Sequence, residues 1–331
     1  MRLLRRADIE TALPMREAVP LMGQAFRAIS EHKAQSAERQ VLEIPGGHAL
    51  LMGACSTGPQ ASGDAAGVVS KLVTVIPENR RKGLPVSSGL AVLVNHEDGR
   101  PLALLDATAL TAWRTAAAAG FATDALARRN ARCGLLVGCG TQARAQLLAM
   151  DAVRELEEIR IMARRPDAVR DLVSSVQAEV SARLRAVDSP GENESSVAQA
   201  DIITTATTSK DPVFPGHWVS AGCHLNGIGS FREDMRELDQ ALIAKAAVYV
   251  ESRRTAAAEA GELIAARNAG MTSEKDWREM GEWKNGRGPC RESETQITLY
   301  KSVGHSVFDL FAASAAVRNS ESLGLGEEWV L

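Results

Sequence analysis

No apolar run of about eighteen residues occurs in the 331-residue chain, so no segment has the character of a membrane-spanning helix. Cysteine is sparse and unpatterned. Cys55, Cys133, Cys139, Cys223 and Cys290 are widely spaced and without CxxC pairs, which argues against a disulfide framework or zinc knuckle and for a reducing compartment. The six histidines are scattered, none in an HxxxH pair, and no metal is expected. A net charge of −3 gives neither nucleic acid nor an anionic membrane a reason to bind. The opening "MRLLRRADIE" has basic residues but no apolar h-region or small-residue cleavage site, so no secretion signal is expected and the cytoplasm is the expected location. Internal repeats and long low-complexity segments are also missing.

What is present is ordinary globular material, 45% hydrophobic and 24% charged, in a chain long enough for two domains. "DIETALPMREAVPLMGQAFRAIS" places Ala18, Met22, Ala25, Phe26 and Ile29 at helical spacing and predicts one amphipathic helix. "RQVLEIPGGHALLMGA" predicts two short strands around a Pro-Gly-Gly turn, followed by a loop, "STGPQASGDAAG". "VVSKLVTVIP" and "GLAVLVNHEDGRPLALLD" add further strands, giving a helix on a mostly antiparallel sheet. An alanine-rich helix follows, with Thr108 expected as its N-cap. Strands are then predicted at 133–137, 159–162, 185–188, 201–205, 224–228 and 247–250, alternating with helical patterns. That alternation predicts a parallel, doubly wound α/β sheet.

"GCGTQA" fits the relaxed G-x-G-x-x-A dinucleotide fingerprint. Gly138 permits the turn, Gly140 lets backbone approach a pyrophosphate, and Ala143 keeps the next helix close to the strand. An ordinary strand–helix turn is the competing reading, outweighed by the apolar strand before it and the alternation after it. The second strand ends in "RIMARRPD", without the carboxylate that usually holds a ribose 2′-hydroxyl. Arg164 and Arg165 instead suit a 2′-phosphate, so NADPH is expected over NADH, which stays possible. Two surface arginines merely preceding a helix would look the same.

Two charges stand where charge is disfavoured. Lys71 is alone between Val68 and Pro77, and Arg114 is alone between Asp106 and Asp124. A buried cation requires an anion, from the protein or from a ligand. The alternatives are a structural ion pair or snorkelling side chains, and a pocket in which lysine and arginine donors bind a carboxylate. Arg39 is less informative, since "SAERQ" also suits an exposed segment. "TTATTSKDPVF" and "HLNGIGSFREDMRELD" follow the fourth and fifth strands of the second half, at the carboxyl edge where such sheets bind ligands.

Together, "KLVTVIPEN", "GLPVSSGLAVLVNHEDGRPLALLDATALTAWRTAAAAG", "VGCGTQARAQ", "DIITTATTS", "NGIGSFREDMRELD" and "ITLYKSVGHSVFDL" resemble the ornithine cyclodeaminase/μ-crystallin family, from about Arg39 to Ala313. The resemblance implies a Rossmann-type NAD(P)-binding domain, 114–307. It also implies an α+β substrate-binding and dimerisation domain, 1–113 with 308–331, a homodimer, and a cofactor in the cleft between the domains. By position it assigns Arg39, Lys71 and Arg114 to the substrate carboxylate. Gly138, Gly140, Thr141, Gln142 and Ala143 fall to the cofactor turn, Thr205, Ala206 and Thr207 beside the nicotinamide, and Gly229 and Ser230 near the cofactor. Asp309 matches a recurrent acid of the last helix whose role is left open.

Departures within that family narrow the chemistry. Ornithine-deaminating members resemble "GGDCPGKTELD" after the fifth strand, where this chain has Phe231 in place of the aspartate. They also carry a glutamate two places before the Met-Pro that ends the second strand, where this chain has Leu50. "GSFR.DMRELD" resembles members that reduce the cyclic ketimines Δ1-pyrroline-2-carboxylate and Δ1-piperideine-2-carboxylate, with Glu233 replacing a usual proline and "MGAC" a usual "MPA". The expectation is an imine-reducing enzyme with Lys71 and Arg114 catalytic, and with Leu50 and Phe231 lining the ring side of the pocket. Alternatives are an ornithine or lysine cyclodeaminase with bound NAD, an NADPH-regulated small-ligand-binding protein, and an amino-acid or N-alkyl-amino-acid dehydrogenase.

Overall fold

The computed structural model describes residues 1–56, 67–283 and 287–330; apart from its two ends, the expected loop "STGPQASGDAAG" lies outside them. The chain divides into two units, Met1–Thr115 with His305–Leu331, and Ala116–Gly304. Among the described residues no helix is long and apolar enough to cross a membrane, and no group of three or more His, Cys, Asp or Glu side chains could hold a metal ion.

In the first unit, the strands are β1 (Arg2–Leu4), β2 (Ala34–Ser36), β3 (Gln40–Ile44), β4 (Gly47–Ser56), β5 (Val68–Val75), β6 (Ser87–Val94), β7 (Pro101–Asp106) and, from the chain's end, β16 (Glu327–Glu328). They form one sheet in the order β16-β1-β7-β6-β5-β4-β2, with β3 also on β4. The pairs from β3 to β7 are antiparallel, while β1 runs parallel to β7. β4 runs on to Ser56, because its pairing with β5 extends to Cys55 opposite Val68.

The single opening helix predicted from periodicity is two helices, α1 (Arg6–Ala12) and α2 (Met15–Ser30). Pro14 divides them: it disfavours helical backbone at Leu13, which sits at φ −134°, ψ 77°. Ala18, Met22, Ala25, Phe26 and Ile29 are all buried, as their spacing predicts. The last helix, α10 (Ser306–Leu323), packs on α1, α2, β4 and β5.

Helix α3 (Ala107–Leu126) begins in the first unit and ends in the second. Asp106, not Thr108, caps it. The Asp106 carboxylate accepts from the N–H groups of Thr108 (2.8 Å) and Ala109 (3.0 Å), while the Thr108 hydroxyl turns away toward Ser87 O.

The second unit holds β8 (Cys133–Val137), β9 (Glu158–Met162), β10 (Arg183–Ala186), β11 (Ile202–Thr205), β12 (His224–Gly227), β13 (Ala247–Val250), β14 (Arg278–Glu279) and β15 (Thr298–Lys301). All pair in parallel, in the order β10-β9-β8-β11-β12-β15-β13-β14. The helices are α4 (Ala143–Val153), α5 (Pro166–Val176), α6 (Asn193–Ala198), α7 (Gln240–Lys245), α8 (Arg253–Glu259) and α9 (Gly261–Asn268). This is a doubly wound sheet. Strand order reverses between β8 and β11, which makes their carboxyl ends the natural ligand crevice. β10 begins two residues earlier than predicted, and β15 inserts between β12 and β13.

Candidate active site

Lys71 sits on β5, between β4 and β6, and only 3% of it is exposed. Alternation puts Lys71 and Val73 on one face, and cross-strand register adds Met52 and Leu50 of β4 to that face. Leu50 is half-buried there, and Arg39 is half-buried between β2 and β3. Arg114 is 4% exposed on α3. Both cations meet one fully buried carboxylate, Asp309 on the first turn of α10. Lys71 Nζ donates to Asp309 Oδ2 at 2.8 Å and to Thr111 Oγ1 at 3.1 Å; Arg114 Nε donates to Asp309 Oδ1 at 3.0 Å.

The anion that these cations require is therefore, in the first instance, the chain's own. The structural ion pair, weighed above as an alternative, is real. It is incomplete, however, because one negative charge serves two positive ones. Arg114 Nη1 is also buried with no hydrogen-bond partner among the described residues. A buried guanidinium N–H without an acceptor is costly, and a surplus of positive charge favours a further anion.

Local structure holds Asp309 in place. His305 caps α10, its Nδ1 accepting from Val307 N at 3.3 Å, and its Nε2 lies 3.2 Å from Ser36 Oγ. The Ser306 hydroxyl donates to Gly53 O at 2.8 Å. Burial alone would raise the Asp309 pKa; Arg114 and Lys71 outweigh it and hold it below the usual carboxylate value. Lys71 is lowered to about 8. Burial is the principal cause, Arg114 and Arg39 add to it, and Asp309 opposes it.

In the second unit, Gly138 lies at φ +119°, where a Cβ would come 2.5 Å from Ala206 O. Gly140 has nothing within 4 Å of a Cβ position, so its flank is open. Thr141 is exposed, Ala143 is buried as the first residue of α4, and half-buried Gln142 carries an Oε1 that is buried without a hydrogen-bond partner among the described residues. A cleared glycine flank and the start of a helix fit a dinucleotide phosphate, and the orphaned amide oxygen, an acceptor, suits a hydroxyl donor such as a ribose.

Arg164 and Arg165 are exposed between β9 and α5, and neither forms an ion pair among the described residues. The nearby Asp167 is engaged by Arg170. Thr205 and Thr207 turn to Glu237, and Ala206 N donates to Val137 O at 2.8 Å. Gly229 N also donates to Glu237, and the Ser230 hydroxyl donates to Glu262. Phe231 is partly buried against this unit's core.

Sequence reading missed Thr111, Glu237, Glu262 and Lys301. The rule that singled out Lys71 applies equally to "ITLYKSV", where Lys301 is a lone charge in an apolar strand and is fully buried. Glu237 gave no such signal, because "REDMRELD" reads as a solvated charged run.

The fold and these two clusters define an α/β protein whose second unit is a Rossmann-type sheet and whose first unit is built on a mostly antiparallel sheet with a buried, cation-rich centre. A sequence model of the ornithine cyclodeaminase/mu-crystallin family matches residues 1–323, and the chain belongs to that family. It is 36% identical to a Δ1-pyrroline-2-carboxylate reductase of Paracoccus denitrificans over 257 residues, 77% of this chain and 80% of that one. Among solved structures, it is similar to the Δ1-pyrroline-2-carboxylate reductase of Thermococcus litoralis in complex with NADH and L-proline. The TM-score is 0.91 and the identity 31%, covering 99% of this chain and 100% of that one. It also resembles an archaeal alanine dehydrogenase dimer with bound NAD, with a TM-score of 0.87 and 31% identity over 99% and 98% of the two chains.

Proposed function

We propose that the protein reduces cyclic imino acids, Δ1-pyrroline-2-carboxylate or Δ1-piperideine-2-carboxylate, to L-proline or L-pipecolate with a reduced nicotinamide cofactor. The observation that carries this reading is the positive surplus around Asp309, with the buried Nη1 of Arg114, unpartnered among the described residues, ready for a substrate carboxylate. A guanidinium suits that task because its fork of donors matches a carboxylate. Arg114 would bind and orient the acid, with Arg39 beside it, and such positioning can supply roughly 7–11 kcal/mol of a barrier.

When bound, the cofactor supplies the hydride that adds to C2 of the C=N bond. Lys71 Nζ would donate the accompanying proton to the imine nitrogen, and its pKa of about 8 suits that exchange near neutrality. Asp309 keeps Lys71 protonated and aimed. Leu50, on the Lys71 face of the sheet, and Phe231 would favour an apolar ring over the distal amine of ornithine.

The second unit would hold the cofactor through Gly138, Gly140, Thr141, Gln142 and Ala143, with Thr205–Thr207, Gly229 and Ser230 toward the nicotinamide. Arg164 and Arg165, exposed and unpaired among the described residues, favour NADPH, although the two solved relatives carry NADH or NAD. We further propose a homodimer through the outward face of the first unit's sheet. There Leu72 and Leu90 oppose one another in register at 48% and 52% exposure, with exposed Leu42 on the neighbouring strand pair.

The test is the change in NADPH and NADH absorbance with the five- and six-membered imines, pyruvate plus methylamine, and ornithine. Rapid oxidation of NADPH by an imine is the expected result. Ammonia release from ornithine without net NADPH consumption would instead identify a cyclodeaminase, and tight ligand binding without turnover a binding protein.

A further inference from the structure

Beneath the carboxyl edge of the parallel sheet lies a group of buried charges that the proposed chemistry leaves unused. Glu237 is fully buried and follows β12 by ten residues. Its carboxylate accepts three hydrogen bonds: from the Thr205 hydroxyl at 2.9 Å, Thr207 N at 2.6 Å and Gly229 N at 2.6 Å. Thr205 ends β11 and Thr207 lies just beyond it, whereas Gly229 lies just beyond β12. A single side chain therefore ties together the loops that leave two adjacent strands.

A second observation, independent of those bonds, shows how close the loops are. A Cβ on Gly229 would stand 2.0 Å from Thr207 O and 2.4 Å from Thr207 N, so the two backbones touch and only glycine fits. Lys301 supports the same layer from below. Its Nζ donates to Gly227 O (3.1 Å), Ser230 O (2.6 Å) and Ser230 Oγ (2.9 Å), and it stands 3.1 Å from Glu262 Oε1. Burial raises the Glu237 pKa; Lys301 opposes that shift and Glu262 reinforces it. All three groups facing the Glu237 oxygens are donors. An amide nitrogen in place of either oxygen would set donor against donor, so the site is specific for a carboxylate.

We propose that Glu237 is a positioning residue: it fixes the spacing of the 205–207 and 228–230 loops and thereby the seat of the nicotinamide half of the cofactor, leaving the adenosine half unaffected. This rests on the reading of the second unit as the cofactor-binding unit. The consequence is a selectivity between cofactor fragments that a general loss of stability would not produce.

The experiment is calorimetric titration of the full-length wild type and Glu237→Gln with NADPH and with adenosine 2′,5′-bisphosphate, which lacks the nicotinamide. If the wild type prefers NADH, then NADH and ADP take their places. NADPH affinity is expected to fall about tenfold or more, the scale of losing one or two buried hydrogen bonds, with the bisphosphate unchanged. Equal affinities in variant and wild type, or equal losses of both ligands, overturn the proposal while leaving the cofactor reading intact. A wild type that binds neither NADPH nor NADH overturns that reading, and this proposal with it. Should Glu237→Gln fail to fold, Thr205→Val removes only one of the three bonds. It is expected to weaken NADPH several-fold relative to the bisphosphate, and an unchanged ratio overturns the proposal.

Discussion

Lys71 and Arg114 share a single carboxylate, and that stoichiometry controls both stability and chemistry. Below about pH 8 the folded and unfolded chains both hold the Lys71 proton. Between about 8 and the ordinary lysine value of 10.5, only the unfolded chain holds it. The Lys71 contribution to stability therefore rises with pH across that window. Activity runs the other way: kcat/KM for imine reduction should fall above about pH 8 as the proton is lost. A pH–rate profile checks this, and an identical alkaline limb in Lys71→Met would place the proton on another group. Asp309, held below its usual value, contributes stability that is lost only as pH falls through its lowered pKa. Asp309→Asn leaves two cations buried without their counter-charge and should cost about 3–5 kcal/mol. Urea unfolding measures that cost, and an unshifted midpoint would contradict the pairing described.

Turns and loops decide what the elements can hold. At Gly138 the backbone is at φ +119° and a Cβ would meet Ala206 O at 2.5 Å, whereas Gly140 faces open space. Gly138→Ala should therefore lower the thermal midpoint as well as NADPH affinity, by strain of about 1–3 kcal/mol. Gly140→Ala should leave the midpoint near wild type and lose cofactor affinity alone. Calorimetry with and without NADPH separates the two; equal midpoints in the two variants would show the turn to be more pliable than drawn.

Strands such as β8 and β13 were legible in the sequence because strands buried on both faces read as short apolar runs. β10 is the sheet's edge strand, and its "RLRA" mixes charge with apolar residues, which blurred its start. The break at Pro14 was visible but outweighed by periodicity. Asp106 and Thr108 are both good caps two residues apart, so the choice between them depended on which oxygen the fold aims at the helix. The place of β15 between β12 and β13 comes from long-range pairing that no local pattern encodes.

Over the whole molecule, the positive centre is assembled from distant positions: β5, the first half of α3 and the first turn of α10, at residues 71, 114 and 309. Two of the three stood out in the sequence as isolated charges in apolar surroundings. The third did not, because an acid in the first turn of a helix is commonplace. Glu237 and Glu262 were hidden for related reasons: Glu237 sits in a charged run, Glu262 is another acid in the first turn of a helix, and only the fold shows that both are buried.

The division of labour proposed for the two units also makes them separable by experiment. Arg114 belongs to the cation cluster of the first unit, and the glycine turn and its loops belong to the second. Lys71 still balances Asp309 when Arg114 is removed, so Arg114→Met should fold. The most direct measurement is therefore the steady-state reduction of Δ1-pyrroline-2-carboxylate by wild type and Arg114→Met, with the NADPH dissociation constant of each. kcat/KM for the imine should fall by about two orders of magnitude or more, the scale of a lost buried, charge-assisted carboxylate contact, while NADPH binds as before. Near-normal turnover in the variant would contradict the assignment of Arg114 to the substrate carboxylate.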